Sequence, residues 1–193
     1  MYNWIVVSYY TAGTPYKKEA RKLETSMLDL AIPHHVAEVP NLGDWQKNTH
    51  FKAKFIRQML DRFETKDVIW VDADAVFHSY PVLFDRIIEN DLWNFAAHFR
   101  NWNHGKDELL SGTLFIKNND LMKRVVDDWI LINRQNKQTW EQRNLSRAVK
   151  REPMMKIMDL PIEYCCIFDD ANRGKLDPVI EHFQASRRLR RLV

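Results

Sequence analysis

Along the first 75 residues, short unbroken apolar runs alternate with longer stretches whose apolar positions recur every three or four residues. Residues 4–10 (WIVVSYY) form one such run and predict a buried strand. Thr11 to Thr14 is a turn cluster, and Pro15 after it suits the first turn of a helix. Ala20, Leu23, Met27, Leu30 and Ala31 then fall on one face of a helix over 16–31, which Pro33 ends. Residues 35–39 predict a second strand and 40–48 a loop containing Gly43 and Trp45. Phe51, Phe55, Met59 and Leu60 mark a helix over 50–63. It leads into an apolar run at 68–77. Strand, helix, strand, helix, strand in this order predicts an α/β fold with a mostly parallel central sheet flanked by helices.

The second half is less regular. A short helix is predicted over 81–90, a strand over 93–97, and a polar, aromatic loop over 99–108. Residues 109–116 read as a strand with Gly112 inside it, a signal for a bulge or a close backbone approach. Asn119 is placed to cap a helix over 120–134, where Leu121, Val125, Trp129 and Ile132 share a face. Thr139-Trp-Glu-Gln142 has capping-box spacing and predicts a helix to Lys150. Short strands at 156–160, 163–168 and 179–183 complete the pattern. No repeat, low-complexity tract or composition break divides the chain, so residues 1–193 are read as one compact domain.

Composition narrows the class. With 45% hydrophobic and 28% charged residues the chain is an ordinary globular protein. No stretch approaches the roughly 18 apolar residues of a membrane span, and no basic segment precedes the first apolar run as in a signal peptide. The net charge of +3 is mild, but Arg187, Arg188, Arg190 and Arg191 crowd the end. A solvated tail is the ordinary reading of such a cluster, and contact with nucleic acid or an anionic membrane is not expected from so short a run. Cys165 and Cys166 are adjacent in a strand-like segment, so they face opposite ways and do not pair. A reducing, cytoplasmic setting follows.

The chemistry concentrates in residues 68–77 (VIWVDADAVF). If this run is extended, Asp72 and Asp74 point the same way, about 6–7 Å apart. Turn-forming aspartates are the plain alternative. At the carboxyl edge of an α/β sheet two hard oxygen ligands suit Mg²⁺ or Mn²⁺ carrying a phosphate-bearing substrate.

Five segments in this order give the chain a resemblance to a known group: Tyr9-Tyr10-Thr11; Lys52-Ala-Lys-Phe-Ile56; Asp72-Ala-Asp74; Ser111-Gly-Thr113; and His182-Phe-Gln-Ala-Ser-Arg-Arg188. Together they resemble the GT-A-fold glycosyltransferases, specifically the nucleotide-diphospho-sugar transferases and glycosyltransferase family 8. The resemblance implies a metal-dependent enzyme that moves a sugar from a nucleoside-diphosphate donor, a UDP-sugar first among them, to an unidentified acceptor. It implies Asp72, Asp74 and His182 as ligands of Mn²⁺ or Mg²⁺, with Asp72 also reaching the ribose. Tyr9, Tyr10 and Thr11 would line the nucleotide site, Lys54 and Arg188 would touch the donor, and Ser111-Gly112 would face the sugar. Glu141 and Gln142 stand where relatives carry an Asp-Gln pair near the reacting carbon.

The chain departs from the pattern at three places: Leu110 replaces an Asn, Ala185 a Gly and Arg188 a Lys. Arginine keeps the charge and adds a bidentate phosphate grip. Glu141 is the first candidate to take the acceptor's proton if the transfer inverts, ahead of Asp107 and Glu108. His34, His35, His50, His78, His98 and His104 lack mutual metal spacing, though His98 and His104 could face the acceptor. Trp45 and Trp102 are candidate stacking residues.

Two other classes fit parts of the sequence. A haloacid-dehalogenase-type phosphohydrolase would use Asp72 as nucleophile, Asp74 as acid/base and Asp169-Asp170 as its late acidic pair. A non-catalytic nucleotide-sugar-binding module would explain the lost Asn and Gly.

Overall fold

The first strand, β1 (Trp4–Thr11), is buried from Trp4 to Ser8 without alternation. Such a strand must be covered on both faces, as in a sheet with helices on either side. The computed structural model describes residues 3–102, 106–170 and 173–189, and the side chains of 101, 102, 106, 107 and 188 lie outside what it describes. Its elements run β1, α1 (Tyr16–Asp29), β2 (His34–Val39), α2 (Trp45–Arg62), β3 (Asp67–Val71), β4 (Ala75–Phe77) and α3 (Val82–Asn90). Then come β5 (Phe95–Trp102), β6 (Lys106–Ile116), α4 (Asp120–Gln135), α5 (Glu141–Lys150), β7 (Ile157–Asp159), β8 (Cys166–Ile167), β9 (Ile180–His182) and α6 (Ser186–Leu189).

Six strands form the central sheet in the order β2-β1-β3-β6-β5-β7. β1 runs parallel to β2 and β3, and β7 parallel to β5, while β6 is antiparallel to both its neighbours. Five strands therefore share one direction. The expected α/β architecture with a mostly parallel sheet is present. A three-stranded sheet, β4-β9-β8, packs beside it.

Each face of the central sheet carries its own core. One contains Val7, Trp70 and Leu114 with Phe55 and Ile56 of α2, Trp129 of α4 and Leu145 of α5. The other contains Val6, Ile69 and Phe115 with Leu23 and Met27 of α1 and Phe84 of α3. Consecutive residues of β1 and β3 thus enter opposite cores, as the pleat requires. No helix among the described residues is long and apolar enough to cross a membrane.

Local chemistry moved several expected boundaries. α2 starts at Trp45, inside the expected loop, because Asp44 caps it by accepting from the Lys47 backbone N–H at 2.7 Å. The polar stretch after Phe99 is a hairpin, not a loop: β5 and β6 pair on as far as Trp102 and Lys106. The expected strand at 163–168 is a 3₁₀ turn over Ile162–Tyr164 followed by the two-residue β8. The capping box at Thr139 does not form. Trp140 is the cap residue of α5 without a side-chain bond, and Gln142 points elsewhere.

Candidate active site

Asp72 and Asp74 do not sit in an extended strand. β3 stops at Val71, and the Ala75 N–H donates to the Asp72 carbonyl at 3.1 Å, closing a turn before β4. The turn reading of these aspartates is correct for the backbone, yet the turn brings the candidate ligands together. Asp72, Asp74 and His182 each offer an atom, and all three atoms lie within 4.8 Å of one another. His182 arrives through β9, which pairs antiparallel to β4 with Ala75 opposite His182.

Each member of this group is oriented by its neighbours. Asp72 Oδ1 accepts from the Trp70 indole N–H at 2.9 Å and lies 2.9 Å from the Lys52 ammonium. Asp74 Oδ2 accepts from the Ala185 N–H at 2.6 Å. Gln184 sits at φ 49°, a left-handed turn that aims this N–H at the carboxylate. His182 is 2% exposed and its Nε2 lies 2.9 Å from the Thr113 hydroxyl.

Electrostatics favour an added cation. Burial, with the nearby Asp72 charge second, raises the Asp74 carboxyl to about 6. Burial also lowers the His182 imidazole to about 4, so the ring is neutral and ready to ligate. Two carboxylates and a neutral imidazole are a donor set that suits Mn²⁺, with Mg²⁺ the harder alternative.

The glycine in β6 has a visible purpose. Ala97 of β5 faces Leu114, but the next residue, His98, faces Leu110, so Ser111 to Thr113 bow out of that pairing. The Gly112 carbonyl accepts from the Asp72 N–H at 2.9 Å. A Cβ at Gly112 would stand 2.9 Å from Cε1 of His182. Gly112→Ala is therefore expected to tilt the imidazole and weaken Mn²⁺ binding roughly 10–100-fold, the range for disturbing a ligand's support. Titration of Mn²⁺ by electron paramagnetic resonance checks this, and unchanged affinity would mean that the ring does not ligate.

The second half of the site was not legible as expected. Lys54 is exposed and outside the cleft, because α2 turns it to solvent. The lysine that faces the site is Lys52, 4% exposed. Its ammonium lies 2.9 Å from both Asp72 Oδ1 and Glu141 Oε1, 3.2 Å from the Ser111 carbonyl and 5.2 Å from the centroid of the Trp70 ring. Lys52, Ile56 and Met59 share α2's buried stripe, and a lysine in that stripe was the available signal.

Glu141 is 8% exposed, and Oε1 accepts from Lys52 and from the Ser111 hydroxyl at 2.8 Å. Burial, as the largest cause, raises its carboxyl above the ordinary range. The carbonyl of Gln142's side chain accepts from the Ser111 N–H at 3.1 Å, and its amide donates to Glu108 at 3.1 Å.

These groups line one cleft of about 560 Å³. Tyr9, Tyr10 and Thr11 enter it from the end of β1, and Asp72, Asp74, Ser111, Gly112, Glu141, Gln142 and His182 from the elements above. Within it the Tyr9 hydroxyl donates to the Asn48 carbonyl at 2.6 Å while the ring packs on Phe51, Phe55 and Trp70. Trp45, Arg100, Trp140 and Arg187 also reach the cleft. Arg187 pairs with Asp169, and Arg100 with Asp170 at 2.7 Å.

The side chain of Arg188, and those of Trp102 and Asp107, lie outside the described residues, as does all of His104. His98 has a structural task, its Nδ1 lying 2.8 Å from the Leu160 carbonyl. His50 is similarly engaged with the Thr139 carbonyl at 2.8 Å. Cys165 and Cys166 are both free and buried.

No family model matches the sequence, and no curated protein matches it. Solved structures do match. A glycosyltransferase involved in the glycosylation of the major capsid of PBCV-1 superposes with a TM-score of 0.74 at 14% identity, covering 94% of this chain and 93% of that one. The apo form of mouse xyloside xylosyltransferase 1 gives 0.60 at 10% identity, covering 95% and 98%. The apo glycosyltransferase GlyE of Streptococcus pneumoniae TIGR4 gives 0.64 at 12% identity, covering 95% of this chain and 55% of its own.

Proposed function

We propose that this chain, which has the GT-A glycosyltransferase fold, transfers a sugar from a nucleoside-diphosphate donor, a UDP-sugar first, with Mn²⁺ or Mg²⁺ as cofactor. The observation that carries the proposal is the convergence of Asp72, Asp74 and His182 in the same cleft as the Lys52–Glu141 pair. The fold alone would not carry it, since one fold hosts many activities.

Asp72, Asp74 and His182 would hold the metal. A bound divalent ion neutralises charge on a departing diphosphate. Arg187 at the rim adds a second cation for the same oxygens once it exchanges Asp169 for phosphate. Tyr10 and Thr11, at the end of β1, line the place for the nucleoside.

Lys52 holds Asp72 and Glu141 at one spacing through a single ammonium. It thereby ties the ligand set to the carboxylate beside the reacting carbon. If the transfer inverts, Glu141 takes the proton of the acceptor hydroxyl, and its burial-raised basicity suits that task. Gln142 is locked by Ser111 and Glu108 and so presents a fixed amide to the sugar. The haloacid-dehalogenase reading loses support: Asp72 follows the third strand of the chain, not the first. Two free cysteines support a reducing, cytoplasmic setting.

A thermal-shift screen of UDP, GDP, CDP and ADP, each with and without Mn²⁺, tests the proposal. One nucleotide, UDP by expectation, should raise the melting temperature only with metal. Silence across the panel from folded protein would sink it.

A further inference from the structure

We propose that Trp140 is the platform of an acceptor subsite, on which a pyranose ring of a saccharide acceptor stacks. The inference rests on the transferase reading and names the substrate class for the open end of that cleft. Trp140 is 54% exposed, while Trp4, Trp70 and Trp129 are each at most 2% exposed. What singles it out is that the exposed indole opens on the cleft, where it offers a ligand an apolar face.

Its position is specific. Trp140 is the cap residue of α5 and the chain neighbour of Glu141, and it lines the same cleft. Its carbonyl accepts from the N–H groups of Arg143 and Asn144 at 3.0 and 3.2 Å, and Thr139 before it is engaged by His50. The backbone under the ring is therefore anchored on both sides. The Arg143 guanidinium sits 5.7 Å over the ring centroid, which braces the indole.

The strand that α5 packs against, β6, stands two places from β1 in the sheet. Nucleoside groups belong at the end of β1, and the diphosphate at the turn after β3. β6 follows next in the sheet, with α5 packed against it. Glu141 is the carboxylate proposed to take the acceptor's proton, so the ring next to it in the chain, open at the same cleft, is placed to meet the acceptor. A pyranose presents a C–H face to an indole and hydroxyls around its edge. Gln142 and Glu108 line the same cleft and have hydrogen-bonding capacity left beyond their mutual bond, which suits that hydroxyl edge.

Saturation-transfer difference NMR tests this with methyl glucoside, galactoside, mannoside and xyloside and with lactose, maltose and cellobiose, each with and without UDP–Mn²⁺. At least one saccharide should receive saturation on its ring protons from the wild type. The signal should fall at least about fivefold in Trp140→Ala and persist in Trp140→Phe, with the thermal shift by UDP–Mn²⁺ equal in all three proteins. Absence of saturation for every saccharide, or equal saturation in Trp140→Ala, would overturn the platform. So would loss of the UDP–Mn²⁺ shift in folded Trp140→Ala, which would give the ring to the donor. A saccharide signal from a wild type that ignores UDP–Mn²⁺ would instead sink the donor proposal and leave the platform standing.

Discussion

Lys52→Met should be the most damaging single change outside the proposed metal ligands, costing roughly 3–5 kcal/mol of stability and leaving the proposed transfer undetectable. The reason is the imbalance it leaves. In the folded protein one buried ammonium neutralises Glu141, which is itself buried, and Asp72, which is about a third exposed. Removing the cation strands a carboxylate in low dielectric, and breaking a buried pair from one side costs about that much. The Glu141 loss dominates, because Asp72 can still be hydrated. Glu141→Gln in the same chain removes the stranded charge, so the double variant should regain a good part of the stability but none of the activity. Urea denaturation of the two single variants and the double variant measures the coupling. Lys54→Met, two positions along on the solvent side of α2, should lie within about 0.5 kcal/mol of the wild type. Equal stability of Lys52→Met and Lys54→Met would show that the buried triad is not the electrostatic centre of the site.

Asp74→Asn should abolish metal-dependent nucleotide binding, by at least about 100-fold, in a protein that still folds. Asparagine keeps the size and the acceptor oxygen that receives the Ala185 N–H, so the turn from β9 to α6 stays pinned. The charge is lost, and with it one hard anionic ligand of the cation. Stability should rise slightly without metal, because a carboxylate that burial and Asp72 both disfavour has been replaced by a neutral group. Asp74→Ala is the rougher test: it also orphans the Ala185 N–H, at about 1–3 kcal/mol. Calorimetry with UDP and Mn²⁺ gives the affinity, and thermal melts with and without EDTA give the stability. Undiminished Mn²⁺-dependent binding by Asp74→Asn would remove Asp74 from the metal site.

Parts of this site were readable from the sequence because they depend on local chemistry. The Asp72-Ala-Asp74 spacing, the apolar run before it and the glycine within 109–116 each have a short-range physical cause. So do the Asn119 cap, which accepts from the Met122 N–H at 2.9 Å, and the stripe of α1. Lys54 against Lys52 shows the limit. Both lie in a helical segment, two residues apart, and only the direction of α2's buried face decides which one meets the carboxylates. Thr139-Trp-Glu-Gln142 shows it again. The spacing satisfied a local rule, but Ser111 from β6 offered Gln142 a better partner than the helix end did.

The sequence by itself determined the alternation of strands and helices, the mostly parallel α/β sheet and the places where carboxylate, imidazole and glycine would be needed. The first two follow from periodicity and backbone preference, which act within a few residues, while the imidazole came only from the resemblance of residues 182–188 to a known family. Tertiary structure alone decided that the two aspartates close a turn, that Lys52 reaches Glu141 across 89 residues of chain and joins it to Asp72, and that Trp140 stands open at the cleft. Desolvation and charge pairing depend on which groups the packed sheets and helices bring within a few ångströms, and sequence separation carries no measure of that distance.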